Sequence, residues 1–113
     1  MQLLVIVLNR IEYLDKLLTR FGDEKIPGAT ILDSKGMAME LGEHDELRFL
    51  GSLRSMLDPA HHESKTIFMV IQEERIPLVS KIVREVTGGL DKPDTGIMFS
   101  VPVNYMEGLT FKQ

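Results

Sequence analysis

The chain opens on Leu3-Leu4-Val5-Ile6-Val7-Leu8, six apolar residues without a break. Such a run marks a strand in the centre of a sheet, or one covered on both faces. Asn9, with Glu12 three residues on, resembles a capping box, and Ile11, Leu14, Leu17, Leu18 and Phe21 then recur at helical spacing. A helix to about Phe21 is predicted. The "GDEKIPG" stretch is a turn cluster, after which Ala29 to Ser34 reads as a second short strand. Thr66 to Ile71, "TIFMVI", is rich in β-formers and reads as a third. Pro77 suits the first turn of a helix whose apolar stripe is Ile76, Val79, Ile82, Val83 and Val86, and Gly88 supplies its stop, so a second helix is predicted over Glu74 to Thr87. Gly96 to Val103 makes a fourth strand. Pro102 cannot donate to a ladder, which places that strand at a sheet edge or ends it there.

The order is strand, helix, strand, long insert, strand, helix, strand. It predicts an α+β chain of ferredoxin-like βαββαβ type, with two helices on one face of a four-stranded antiparallel sheet. The other sheet face is then bare, and a second copy of the chain is its expected cover.

Length and composition narrow the reading further. At 113 residues the chain is expected to form one domain, residues 1–113. With 43% hydrophobic and 27% charged residues it has globular composition, and no apolar run approaches the roughly 20 residues that span a bilayer. Leu3 to Leu8 is too short for a signal peptide and has no basic residue before it, so a cytoplasmic address is expected. With no cysteine there is no disulfide framework, thiol nucleophile or thiolate metal site. The net charge of −4 is localised: residues 36–64 hold Arg48 and Arg54 against Glu40, Glu43, Asp45, Glu46, Asp58 and Glu63, while the remainder balances. An acidic insert on a neutral body argues against nucleic acid, which needs clustered Lys and Arg.

Three places carry candidate chemistry. Lys35-Gly36 ends the second strand and opens the insert; it reads either as a simple turn or as a close backbone approach to a ligand beside a cation. Thr87-Gly88-Gly89 and the loop to Gly96 offer backbone N–H groups and Lys92, the chemistry of an anion-binding nest, or else form an ordinary helix stop. The insert is far longer than usual connections. Leu47, Leu50, Leu53 and Leu57, with Phe49 and Met56 beside them, give an amphipathic helical pattern over Glu46 to Leu57, which either docks a partner or folds onto its own domain. His44, His61 and His62 are candidates for a metal on a folded loop, or are solvated loop residues. No GxSxG, HExxH or Walker A motif is present, and no carboxylate spacing singles out an acid–base pair, so an enzyme is not expected.

"GATILDSKGMA" (28–38), "KTIFMVI" (65–71), "LVSKIVREVTGG" (78–89) and "TGIMFSVPV" (95–103) together resemble the PII signal-transduction proteins, known as nitrogen regulatory proteins P-II. The resemblance spans almost the whole chain. It implies a homotrimer of ferredoxin-like subunits, with the insert 36–64 as the T-loop and 87–96 as the B-loop. It also implies an adenine nucleotide, AMP, ADP or ATP, in a cleft between the B-loop of one subunit and the T-loop base of its neighbour. Carried onto this chain, the backbone contacts are Gly36, Met37, Thr87, Gly88 and Gly89, the walls near the adenine are Ile6 and Ile67, and the charge candidates are Lys35 and Lys92. The long loop would then regulate a target, a membrane transporter or a metabolic enzyme, through Leu47, Phe49, Leu50 and Leu53.

The chain also departs from that pattern. Where the family usually reads Gly-Phe-Gly-Arg-Gln, this chain reads Gly36-Met37-Ala38-Met39-Glu40, without the arginine or glutamine tied to triphosphate and 2-oxoglutarate binding. Ile97 stands where the family has a lysine after the last B-loop glycine, and the Arg-x-Arg pair beyond the fourth strand is replaced by "NYMEGLTFKQ", with only Lys112. The insert has no tyrosine to modify. The expectation is thus a divergent PII-like regulator suited to AMP or ADP better than ATP. A metal-binding trimer like the CutA relatives of PII, a ligand-free partner-binding module and an acylphosphatase-type enzyme using Arg10 stand as alternatives; the last lacks the glycine-rich phosphate cradle after strand one.

Overall fold

The computed structural model describes residues 1–26, 28–37, 40 and 63–108. Strand β1 (Gln2–Leu8), helix α1 (Leu14–Asp23), β2 (Thr30–Ser34), β3 (Ser64–Ile71), α2 (Ile76–Thr87) and β4 (Gly96–Pro102) follow in that order. Short 3-10 turns at Ile11–Tyr13 and Glu73–Arg75 lead into the two helices. The sheet order is β2-β3-β1-β4, with every neighbouring pair antiparallel. This is the ferredoxin-like α+β arrangement that the element order predicts.

The pairing explains the apolar opening run. β1 sits inside the sheet with a partner on each edge, and alternate residues face opposite sides. Leu4, Ile6 and Leu8 turn to the helices and are buried with Ile67, Met69 and Ile71 of β3. Leu17 and Phe21 from α1 and Val79, Ile82, Val83 and Val86 from α2 close that core. Leu3, Val5 and Val7 turn the other way. They pair with Val70, Phe68 and Thr66 on one side and with Val101, Phe99 and Ile97 on the other, so a broad apolar face lies opposite the helices. Ile97, Phe99 and Val101 are 56%, 47% and 43% exposed.

Local stops follow their chemistry. Gly88 ends α2 with φ +82°, the left-handed conformation that glycine adopts without a side-chain clash, and its N–H donates to the Arg84 carbonyl at 2.9 Å. Pro77 lies in the first turn of α2, where its missing N–H costs nothing. Arg75, just before α2, donates to the Glu24 and Lys25 carbonyls at 2.9 and 3.2 Å and so satisfies the end of α1. β4 is an edge strand and Pro102 is its last residue.

The capping box expected at Asn9 does not form. The residue before the first helical turn is Arg10, with no side-chain cap, and a 3-10 turn precedes α1. The reason is the sheet: the Asn9 N–H donates to the Thr95 carbonyl at 2.9 Å, so this residue continues strand pairing. The helix expected over Glu46 to Leu57 lies outside the described residues.

One surface pair ties the helices together. Arg20 donates to Glu85 at 2.7 Å, and this hydrogen bond, opposed by desolvation and aided by the charges of Arg20, Lys81 and Arg84, holds the Glu85 carboxyl below its ordinary range. A carboxylate whose folded pKa is depressed stabilises the fold above its unfolded value and loses that contribution as pH falls through the folded one. Glu85→Gln is therefore expected to flatten the acid side of the stability profile. Urea midpoints of the two proteins should converge below about pH 4; profiles that stay parallel there would sink the assignment.

Candidate functional site

In an antiparallel sheet of this order, β1 and β2 end where β3 and β4 begin. The Asn9-Arg10 turn, the base of the insert and the 87–96 loop therefore share one end of the sheet. They do not share one edge. β2 and β4 are the two outer strands, separated by β3 and β1, which puts them about 14 Å apart at the usual strand spacing. Lys35, Gly36 and Met37 thus stand on one edge, and Thr87 to Lys92 lead into the other.

The 87–96 loop is tightly built. The buried Thr87 hydroxyl donates to the Val83 carbonyl at 2.7 Å and accepts from the Gly89 N–H at 3.1 Å. Gly88 N–H goes to Arg84, and Lys92 N–H to the Gly89 carbonyl at 3.4 Å. The expected nest of unencumbered glycine N–H groups is corrected accordingly: both glycine donors are spent on closing the helix end. The cation of the loop is placed otherwise. Lys92 Nζ lies 2.3 Å from where a Cβ on Gly88 would sit, so the ammonium folds over that glycine, while Asp91 Oδ1 lies 2.5 Å from the corresponding point on Gly89. Arg10 reaches the loop from the β1–α1 turn, its Nη2 donating to the Pro93 carbonyl at 3.4 Å.

The base of the insert is pinned on both faces of the sheet. Ser34 Oγ is hydrogen-bonded to Ser64 Oγ at 2.7 Å and to Thr66 Oγ1 at 2.8 Å, while Lys65 donates to Asp33. That contact, against a smaller desolvation effect, holds the Lys65 ammonium above its ordinary range. Lys35 Nζ is 3.4 Å from Glu40 Oε2, so part of its charge is met within the chain. Nothing lies within 4 Å of a Cβ placed on Gly36, and Met37 is 75% exposed. Asp33, Ser34, Lys35 and Glu63 line an open cavity of about 270 Å³ here.

Ile6 and Ile67 are not available as walls for a ligand. They pair with each other on the helix-covered side and have no exposed surface. One position along each strand, Val7 and Thr66 face the open side at the loop end and are the neighbours such a ligand would meet. The sequence concealed this because both alternating sets of β1 are apolar. Leu47, Phe49, Leu50, Leu53, His44, His61, His62 and Lys112 lie outside the described residues. Among the described residues no three His, Cys, Asp or Glu side chains gather as a metal would require, and no helix is long and apolar enough to cross a membrane.

No protein-family model matches this chain. No curated protein matches it either. Among solved structures, a functionally unknown protein from Pediococcus pentosaceus superposes with a TM-score of 0.63 at 17% identity, over 96% of each chain. The chain is therefore similar in fold to that protein along nearly the full length of both.

Proposed function

We propose that this chain is a PII-like regulatory protein that works as a homotrimer, binds a small anionic effector, an adenine nucleotide, at clefts between subunits, and acts on a target protein through its long insert. The observation that carries the reading is the split placement of the candidate residues. Lys35-Gly36-Met37 and Thr87-Gly88-Gly89-Lys92 occupy the same sheet end but opposite edges, too far apart for one small ligand to touch in a single chain. A neighbouring copy brings the two halves together. The bare apolar face supplies the reason for copies to associate, because a patch of this kind is seldom left to water. Gly36 adds to this, since the fold of the single chain makes no demand for glycine there.

The mechanism is a population shift. Effector bound against the insert's base stabilises one arrangement of the insert, and that arrangement presents or hides Leu47, Phe49, Leu50 and Leu53 to a transporter or enzyme in the cytoplasm. The protein itself performs no chemistry. Lys35 already faces Glu40 and the glycine N–H groups are committed, so the cleft suits AMP or ADP better than ATP.

The test is isothermal titration with AMP, ADP and ATP, each with and without Mg²⁺, on protein whose mass is set by light scattering. A species of about 38 kDa, three times 12.8 kDa, with saturable nucleotide binding is expected. Gly88→Ala should weaken binding, because its Cβ displaces Lys92 and its φ disfavours any side chain. A trimer that takes up none of the three nucleotides would overturn the adenylate reading.

A further inference from the structure

We infer that the outer edge of β2 in one chain pairs antiparallel with the outer edge of β4 in a second copy, so that backbone hydrogen bonds between copies close each candidate cleft. The inference rests on the assembly reading above and names the contact that brings the two halves of the site together. In an antiparallel ladder each residue points its N–H and C=O to one side, and successive residues alternate. Val103 N–H donates to the Met1 carbonyl at 3.1 Å and Asn9 N–H to the Thr95 carbonyl at 2.9 Å. Both pairs continue the β1–β4 register, so Ile97, Phe99 and Val101 point their backbone groups at β1, while Met98 and Ser100 point theirs outward. Pro102 takes the next outward position, where it has no donor to offer. Carried across β1 and β3, the same alternation leaves Ile31 and Asp33 outward on β2.

The two edges match in direction, in facing and in charge. β2 ends at the sheet end where β4 begins, so two copies with their loop ends level present antiparallel strands, and Lys35-Gly36-Met37 of one copy then stands beside the 87–96 loop of the other. Residues directly opposite in such a pair share a face. Here Ile31 and Asp33 lie on the helix-covered side opposite Ile67 and Lys65, and Met98 and Ser100 lie on that same side opposite Ile6 and Leu4. The residues between them meet on the bare side, where Leu32, Ile97 and Phe99 are each about half exposed, so the pairing buries apolar surface against apolar surface. An edge strand left to solvent is ordinarily protected by charge. Residues 96–106 carry none, and Asp33, the charged residue of β2, is met by Lys65. β2 of one copy on β4 of the next is a head-to-tail contact, which closes into a ring when repeated around a threefold axis.

Because the chain has no cysteine, introduced pairs report this contact without background. Leu32→Cys/Ile97→Cys and Leu32→Cys/Phe99→Cys, which sample two neighbouring registers, are oxidised as full chains and separated on a denaturing gel without reductant. Within one chain these positions lie about 14 Å apart, beyond the roughly 7 Å that a disulfide spans between Cα atoms, so the bond forms only between copies. Facing residues of a non-hydrogen-bonded pair are about 4.5 Å apart, within that reach. One of the two double variants is expected to move most of the protein from 12.8 kDa to bands of two and three times that mass, with nothing larger because the ring closes. Each single replacement, and Leu32→Cys/Ser100→Cys with its second thiol on the helix side, should stay at 12.8 kDa. All four positions lie outside the helix-covered core, and urea midpoints near wild type verify the fold. Phe99→Cys alone forming covalent dimers would overturn the inference in favour of β4 pairing with β4, and folded double variants that both fail to cross-link would overturn it outright. The two readings fail separately. A trimer by light scattering in which neither pair bonds sinks the edge contact alone, and bonded trimers that take up no nucleotide sink the adenylate alone.

Discussion

Gly96→Ala is expected to lower the unfolding free energy by roughly 3 kcal/mol or more. Gly96 begins β4 at φ +151°, and a Cβ there would lie 2.2 Å from the Val7 carbonyl oxygen, 3.3 Å from the Val7 carbonyl carbon and 3.4 Å from the Leu8 Cα. All three atoms belong to the backbone of the strand that anchors the sheet, so no side chain can rotate out of the way. The methyl must part Gly96 from Leu8, its ladder partner, and with it the neighbouring Asn9 to Thr95 bond. A domain of this size has only about 5–15 kcal/mol of stability in all, so the loss is a large share of it. Urea unfolding of the two proteins measures the difference directly. A variant within about 0.5 kcal/mol of wild type would show that β4 does not approach β1 this closely.

The second large effect concerns assembly. Phe99→Lys should convert the proposed trimer of about 38 kDa into a folded chain of 12.8 kDa, as read by light scattering. Phe99 lies midway along β4 on the bare face, opposite Val5, whose other partner is Phe68. An ammonium buried there among apolar side chains has no partner, a cost of several kcal/mol per subunit that a symmetric assembly incurs in every copy. The chain itself should still fold, because Phe99 takes no part in the helix-covered core and is 47% exposed. Ser100→Lys, one residue on, faces the opposite side in the β1–β4 register and serves as the control. An unchanged mass in Phe99→Lys would place the contact between copies on some other surface.

How legible each feature was depended on how local its cause is. The two helices were readable because their apolar stripes repeat at i, i+3 and i+4, and both stripes are the buried ones: Leu17 and Phe21 in α1, and Val79, Ile82, Val83 and Val86 in α2. Gly88 announced the end of α2 because only glycine takes the left-handed conformation freely. β3 begins two residues earlier than its β-formers suggest, at Ser64, because the Ser34 hydroxyl holds it there through contacts with the Ser64 and Thr66 hydroxyls, 30 and 32 residues away. No local pattern could have revealed those partners. The same is true of Asn9, whose capping signature was overridden by a bond to Thr95.

The candidate site was harder to read than the fold. Arg10 has no glycine-rich context, and only the crossing of the β1–α1 turn over Pro93 brings it to the loop. The resemblance points to Ile6 and Ile67, and the unbroken apolar run of β1 does not say which alternate set faces the helices, so only the fold shows that these two are buried there.

By itself, then, the sequence determined the elements, their order and hence the βαββαβ topology, since these depend on periodicities of two and 3.6 residues and on the backbone limits of glycine and proline. Only the tertiary structure decided which side of each strand is core, which glycine donors are already spent, and that the two halves of the candidate site stand on opposite sheet edges. Those are consequences of strand register and of contacts between residues far apart in the chain, which no window of neighbouring residues contains.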